Sequence, residues 1–178
     1  MTLRLPTLGP ADPNEVLRPV RPWFVALTLF AALFGNLLPL AGPALVLRPD
    51  FLAVTLLYWC IQAPRYVGVG TAWLMGLLMD VGDGTLLGQH ALAYAVLAYA
   101  AEYFRRRVLR FPLWQQAVQV AVLLAFCAAL VLFVRVFGGA PMPRFTYFAS
   151  PLVGALLWPL LSMLLQLPQR PVRSSATL

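Results

Sequence analysis

Residues 113–137 read LWQQAVQVAVLLAFCAALVLFVRVF, an apolar run whose single charge, Arg135, stands next to its end. A helix rises 1.5 Å per residue, so about twenty such residues cross the ~30 Å of a bilayer's hydrocarbon. This stretch therefore predicts a transmembrane helix. The whole chain agrees with it: of 178 residues, 61% are hydrophobic and 11% charged, with a mean hydropathy of +0.81. One soluble core of this size cannot cover that much apolar surface, so lipid must cover part of it.

On the N-terminal side, residues 86–104 form another apolar segment, rich in alanine at 91, 93, 95, 98, 100 and 101, which lets helices approach closely. Arg105, Arg106, Arg107 and Arg110 are expected to end it. Upstream lie two shorter segments, 50–63 and 66–80. The first opens on Pro49, a favoured first-turn residue, and Asp50, whose charge suits a helix N-terminus; Pro64 stops it. Each spans roughly 22 Å as helix, short for an independent crossing. They either cross packed among neighbours, with Gly68, Gly70 and Gly76 permitting close contact, or form a re-entrant hairpin. Either choice leaves the later topology unchanged.

Residues 22–40, PWFVALTLFAALFGNLLPL, supply a first span with Trp23 at an interface, and 145–167 supply the last, where Pro159 is expected to bend the helix. The expected fold is all-α and polytopic: six transmembrane helices over residues 22–167, between tails 1–21 and 168–178. The first tail, with four prolines, two acids and three arginines, cannot pack a core. A cleaved secretion signal is not expected, because a polar, proline-rich stretch precedes a full-length span.

The net charge of +7 rests on thirteen arginines and no lysine. They sit between apolar runs rather than on one face, which fits membrane topology and anionic lipid headgroups, not nucleic acid. Sorted by side, ten fall in the tails and the loops at 65 and 105–110, against Arg48, Arg135 and Arg144 on the other side. The positive-inside rule then predicts that both termini are cytoplasmic. Cys60 and Cys127 lie in apolar runs and read as packed free thiols.

The densest polar cluster is residues 80–90, DVGDGTLLGQH. Asp80, Asp83 and His90 could in principle ligate a metal, but glycine-rich aspartate turns of this kind ordinarily cap backbone groups, and no metal or cofactor is expected. Asp80 near a helix C-terminus opposes the macrodipole and should have a donor partner in the turn that follows. His90 is expected to pack as a hydrogen-bonded helix residue near Tyr94 rather than act as a base. Glu102 has the spacing to pair with Arg105 and Arg106, and Gln115, Gln116 and Gln119 are expected to mark the interface end of their span. No phosphate-binding loop, nucleophile elbow, HExxH or CxxC motif is present.

A resemblance takes the reading further. The ordered set Arg48-Pro49-Asp50-Phe51-Leu52, Tyr58-Trp59, Pro64, Gly76-Leu77-Leu78-Met79-Asp80 and Gly88-Gln89-His90-Ala91-Leu92-Ala93-Tyr94 resembles the MreD family of bacterial rod-shape-determining proteins. It is best over residues 48–99. The resemblance implies a non-enzymatic scaffold of the cell-wall elongation machinery in the bacterial inner membrane. The implied partners are MreC first, then MreB, RodA and the elongation-specific penicillin-binding protein, with membrane lipids around it. Pro49, Asp50, Gly76, Asp80, Gly88 and His90 become candidates for structural or partner-contact roles, and Arg105, Arg106, Arg107 and Arg110 form a cytoplasmic basic loop. The family is similar in architecture to the six-helix S components of vitamin transporters, so a solute-binding S component or lipid carrier is the alternative.

Overall fold

The computed structural model describes residues 21–39, 48–142 and 145–167. Within them the chain forms six α-helices, one short 3-10 turn and no strand. Helix α1 spans Pro22–Leu37, α2 Phe51–Gln62, α3 Val69–Asp83, α4 Gln89–Val108 and α5 Leu113–Phe137; the 3-10 turn Phe145–Phe148 leads into α6, Ala149–Gln166.

Helix α5 has the bounds that its apolar run predicts, because Pro112 caps its start and Gly138 its end. By contrast, α3 and α4 lie about one turn further along the chain than hydropathy alone places them. Asp80 does not end α3: the helix continues to Asp83 and stops at Gly84, whose left-handed backbone (φ 62°) suits a C-cap glycine. Likewise Arg105, Arg106 and Arg107 do not end α4 from outside. They form its last turn, where cations meet the negative end of the helix dipole, and only Arg110 lies beyond. Pro49 precedes the N-cap residue Asp50 and so lies outside the first turn of α2.

Helix α2 is the axis of the bundle. Its residues from Leu52 to Ile61 are all buried, so it presents no face to the surroundings. It packs against α1, α4 and α6, while α3 packs on α4, α4 on α5 and α5 on α6. Large aromatic rings fill the centre. Trp59 makes edge contacts with Phe24 and Tyr58, and Tyr58 meets Trp158 of α6. The indole N–H groups find partners: Trp59 Nε1 donates to Thr28 Oγ1 at 2.9 Å and Trp158 Nε1 to Gln116 Oε1 at 3.2 Å. Gln116, in the first turn of α5, is therefore a buried strut between α5 and α6. Cys60 and Cys127 are free and buried.

Two helical stretches, Leu113–Phe137 and Thr146–Gln166, are long and apolar enough to cross a membrane. Only 28% and 33% of their most apolar windows are buried, whereas a soluble core helix would be mostly covered. Val118, Val122, Phe126, Phe133 and Leu156 stand on the outside. Exposed apolar surface on this scale belongs in lipid. The shorter α1, α2 and α3 and the arginine-ended α4 do not pass the same test by length and composition, so two crossings rather than six are legible from the helices alone.

Among the three glycines expected to permit close packing, Gly76 does so. A Cβ there would collide with the backbone of His90 and Ala91 at the start of α4. Gly68 caps α3 from outside the helix, where an added Cβ would lie 3.0 Å from Glu102 Oε1 of α4, and Gly70 faces open space.

Candidate functional site

Two aspartates organise one end of the bundle, and each does so through donors from other elements. Asp50 caps α2, its Oδ1 accepting from the Ala53 N–H at 2.9 Å. The same oxygen accepts from Asn36 Nδ2 of α1 at 2.7 Å, and Asn36 Oδ1 in turn accepts the Phe51 N–H at 2.9 Å. The other carboxylate oxygen, Oδ2, accepts from the Tyr94 hydroxyl of α4 at 2.7 Å. One carboxylate thus ties three helices together. Asn36, at 2% exposure, is a full member of the site and not a tolerated polar residue in a span.

Tyr94→Phe removes one donor from Asp50 and should lower unfolding free energy by about 2 kcal/mol, within the range for hydrogen bonds to charged groups. In an Asp50→Ala background the same change should do little, because the two substitutions remove one interaction. Thermal melts of the four proteins in detergent give the double-mutant cycle; a full Tyr94→Phe effect without Asp50 would show that the hydroxyl serves something else.

Asp80, 1% exposed, does for α4 what Asp50 does for α2, but from a different helix. Helix α4 begins after Gly88, whose φ of 98° requires glycine and which has no side chain to cap with. Asp80 provides the missing cap: Oδ2 accepts the Gly88 N–H at 2.7 Å and the Ala91 N–H at 3.4 Å, and Oδ1 accepts the His90 N–H at 2.9 Å. The His90 imidazole adds a bond from Nδ1 to Oδ1 at 2.8 Å, and the Thr85 hydroxyl a longer one at 3.4 Å. The carboxylate opposes the dipole of its own helix yet sits on the positive end of the next, which offsets the conflict. Gly76 lies one turn before Asp80, and both meet the same start of α4. The spacing G-L-L-x-D against L-G-x-H-A thus has a physical content: one residue admits the helix and the other caps it.

His90 also lies 5.7 Å from the Tyr94 ring, as the sequence analysis expected. Asp83 is exposed and does not join Asp80 and His90; among the described residues no three His, Cys, Asp or Glu side chains gather as metal ligands. Glu102 forms no ion pair with Arg105 or Arg106. Arg105 instead reaches across to the Ile61 carbonyl in the last turn of α2, where a cation meets the negative helix end. The two ends of the bundle differ in charge accordingly. Arg21, Arg65, Glu102, Arg105, Arg106, Arg107 and Arg110 lie at one, and Arg48, Asp50, Asp80, Asp83 and Arg135 at the other.

Sequence reading singled out Asp50, Asp80, Gly76, Gly88 and His90 but passed over Asn36 and assigned no bond to the Tyr94 hydroxyl. An asparagine inside an otherwise apolar span is the signal that marks such a residue, since it needs a partner there.

This arrangement was compared with known proteins. The model of the family described as rod shape-determining protein MreD matches residues 18–167. The chain belongs to the MreD family. A curated relative, the rod shape-determining protein MreD of Haemophilus influenzae, is 32% identical over 158 residues, which cover 85% of this chain and 94% of that protein. No solved structure matches. Membership of the MreD family makes this a membrane protein with a role in determining rod shape, within the shape-determining complex. All the described helices, and with them both aspartate nodes, lie inside the matched region.

Proposed function

We propose that the chain is a non-enzymatic scaffold subunit of the cell-wall elongation machinery, seated in the bacterial inner membrane. In this reading residues 22–167 form a domain of six crossings between cytoplasmic tails 1–21 and 168–178. MreC is the principal partner, with RodA, the elongation-specific penicillin-binding protein and MreB in the same assembly. The observation that carries the reading, beside family membership, is that Asp50 and Asp80 direct their carboxylates to backbone and side-chain donors of neighbouring helices. Groups held this way fix helix positions and are poorly placed to act on a substrate. The short α2 can cross because protein surrounds it, so the lipid-facing length rule does not bind it; α3 leans on α4 with Ala72, Gly76, Met79 and Asp80 and leaves Trp73, Leu74 and Leu78 outward.

The test is affinity purification of the tagged full chain from its native membranes. MreC and the synthase are expected to come with it. Deletion should widen or round the cells. Rods of normal width with normal recovery of the MreC complex in the deletion strain contradict the scaffold. For the topology, a thiol at Leu87→Cys should react with an impermeant reagent in intact spheroplasts and one at Arg110→Cys only after permeabilisation; the reverse pattern inverts the proposed orientation.

A carrier of S-component type is the second reading, and the cleft between the aspartate nodes and α5, about 400 Å³, is what favours it. Recovery of a transport ATPase in the same purification would support it.

A further inference from the structure

The cleft at the aspartate end is lined by two acids, Asp50 and Asp83, and two arginines, Arg48 and Arg135. Of its acids, Asp50 accepts from Asn36, Ala53 and Tyr94 and is fully engaged; Asp83 stands at the rim. Its cations are in the opposite condition. Among the described residues the one ion pair is His90 with Asp80, so neither Arg48 nor Arg135 has a carboxylate partner. Among the described residues Arg48 makes a single side-chain hydrogen bond, to the Leu38 carbonyl at 3.1 Å. These two arginines come from separate elements, the segment before α2 and the last turn of α5, and line the same cleft.

The cleft is also amphipathic. It continues into a narrower cavity of about 80 Å³ with which it shares Asp50, His90, Val131, Tyr147 and Ser150. The further walls of that cavity are Ala53 of α2, Leu124, Cys127 and Ala128 of α5, and Pro151 of α6, none of them charged. A free inorganic anion gains nothing from such an extension, whereas an alkyl chain does.

We propose that this cleft binds one amphiphile with an anionic phosphate headgroup, a membrane phospholipid, whose phosphate is held by Arg48 and Arg135 and whose first methylenes enter the narrow cavity. Guanidinium groups match phosphate oxygens in geometry as well as charge, and a site of a few hundred Å³ with apolar walls and a few placed polar groups is the usual form of a small-ligand pocket. This ligand is distinct from a loose annulus around the bundle, because it is held at one place by two specified side chains. The inference does not depend on the scaffold reading.

The test is native mass spectrometry of the full chain purified in detergent, titrated with dioleoyl phosphatidylglycerol. One saturable adduct is expected. The double variant Arg48→Gln/Arg135→Gln should weaken it on the order of tenfold or more, as loss of charge-assisted contacts implies, while Arg106→Gln/Arg107→Gln at the opposite end should leave it unchanged. Ala128→Leu, which keeps both arginines and fills the narrow cavity, should also weaken the lipid adduct. Melting temperatures of the four proteins confirm that each is folded. Retention of the adduct by the Arg48/Arg135 variant, or its equal loss in the Arg106/Arg107 variant, overturns the site. Displacement of the lipid by an equal concentration of inorganic phosphate, or indifference to Ala128→Leu, overturns the assignment to an amphiphile.

Discussion

Asp80→Leu should be the most damaging single substitution at the aspartate end, lowering stability by about 3–5 kcal/mol, since several buried donors lose their acceptor at roughly 1–3 kcal/mol each. Leucine leaves the Gly88 and His90 N–H groups and the His90 Nδ1 donor with no acceptor, in a place that admits little water. Asp80→Asn should be milder, about 1–3 kcal/mol, because one oxygen still accepts while the amide nitrogen confronts an N–H that needs an acceptor. Fluorescence-detected size exclusion and thermal melts of the detergent-purified protein rank the variants, with recovery of partners as the functional readout. If both proteins fold and assemble normally yet fail equally in maintaining rod shape, the ionised carboxylate has a chemical task and the capping account is wrong.

A second large effect is expected at Gly76. Any side chain there must occupy space already held by the His90 and Ala91 backbone, and backbone cannot swing aside as the end of a long side chain can. Gly76→Val should therefore push α3 away from α4 and lengthen the bonds to Asp80 as well, a loss of about 3 kcal/mol or more, at the upper end of overpacking effects. Gly70→Ala on the same helix is the internal control. It faces open space, and alanine favours a helix over glycine by roughly 0.5–1 kcal/mol, so that protein should melt at the same temperature or slightly higher. A Gly76→Val protein as stable as the Gly70→Ala one would mean that α3 and α4 do not approach as closely as described.

Hydropathy located all six described helices, and it placed the limits of α5 correctly because proline and glycine bracket a long uniform run. It ended α3 and α4 too early for a single reason. A carboxylate or a row of arginines reads as the end of an apolar segment, but Asp80 lies within α3 because its donors come from another helix, and Arg105 within α4 because it reaches the end of α2. Those partners are separated by ten residues in one case and forty-four in the other, and no local pattern contains them. The donor sought for Asp80 was legible, since a charge at that position needs one nearby. The link from Asn36 and Tyr94 to Asp50 was not: an asparagine in an apolar span signals that it needs a partner, but which partner appears only when three helices meet.

The enclosure of α2 on every side has a consequence for how the protein is made. This helix, about 18 Å long at twelve residues, is translated second, before almost everything that surrounds it. Tyr94, Arg105 and Trp158, which serve its two ends and its aromatic flank, leave the ribosome later. A newly made α2 in lipid alone would be too short to span and would expose a carboxylate at one end and open carbonyls at the other. Its final position is thus created by segments that do not yet exist when it is synthesised. The enclosed position of α2 can therefore be completed only as the later helices close around it. A chain interrupted before α6 would lack Trp158 and leave that aromatic flank of α2 uncovered.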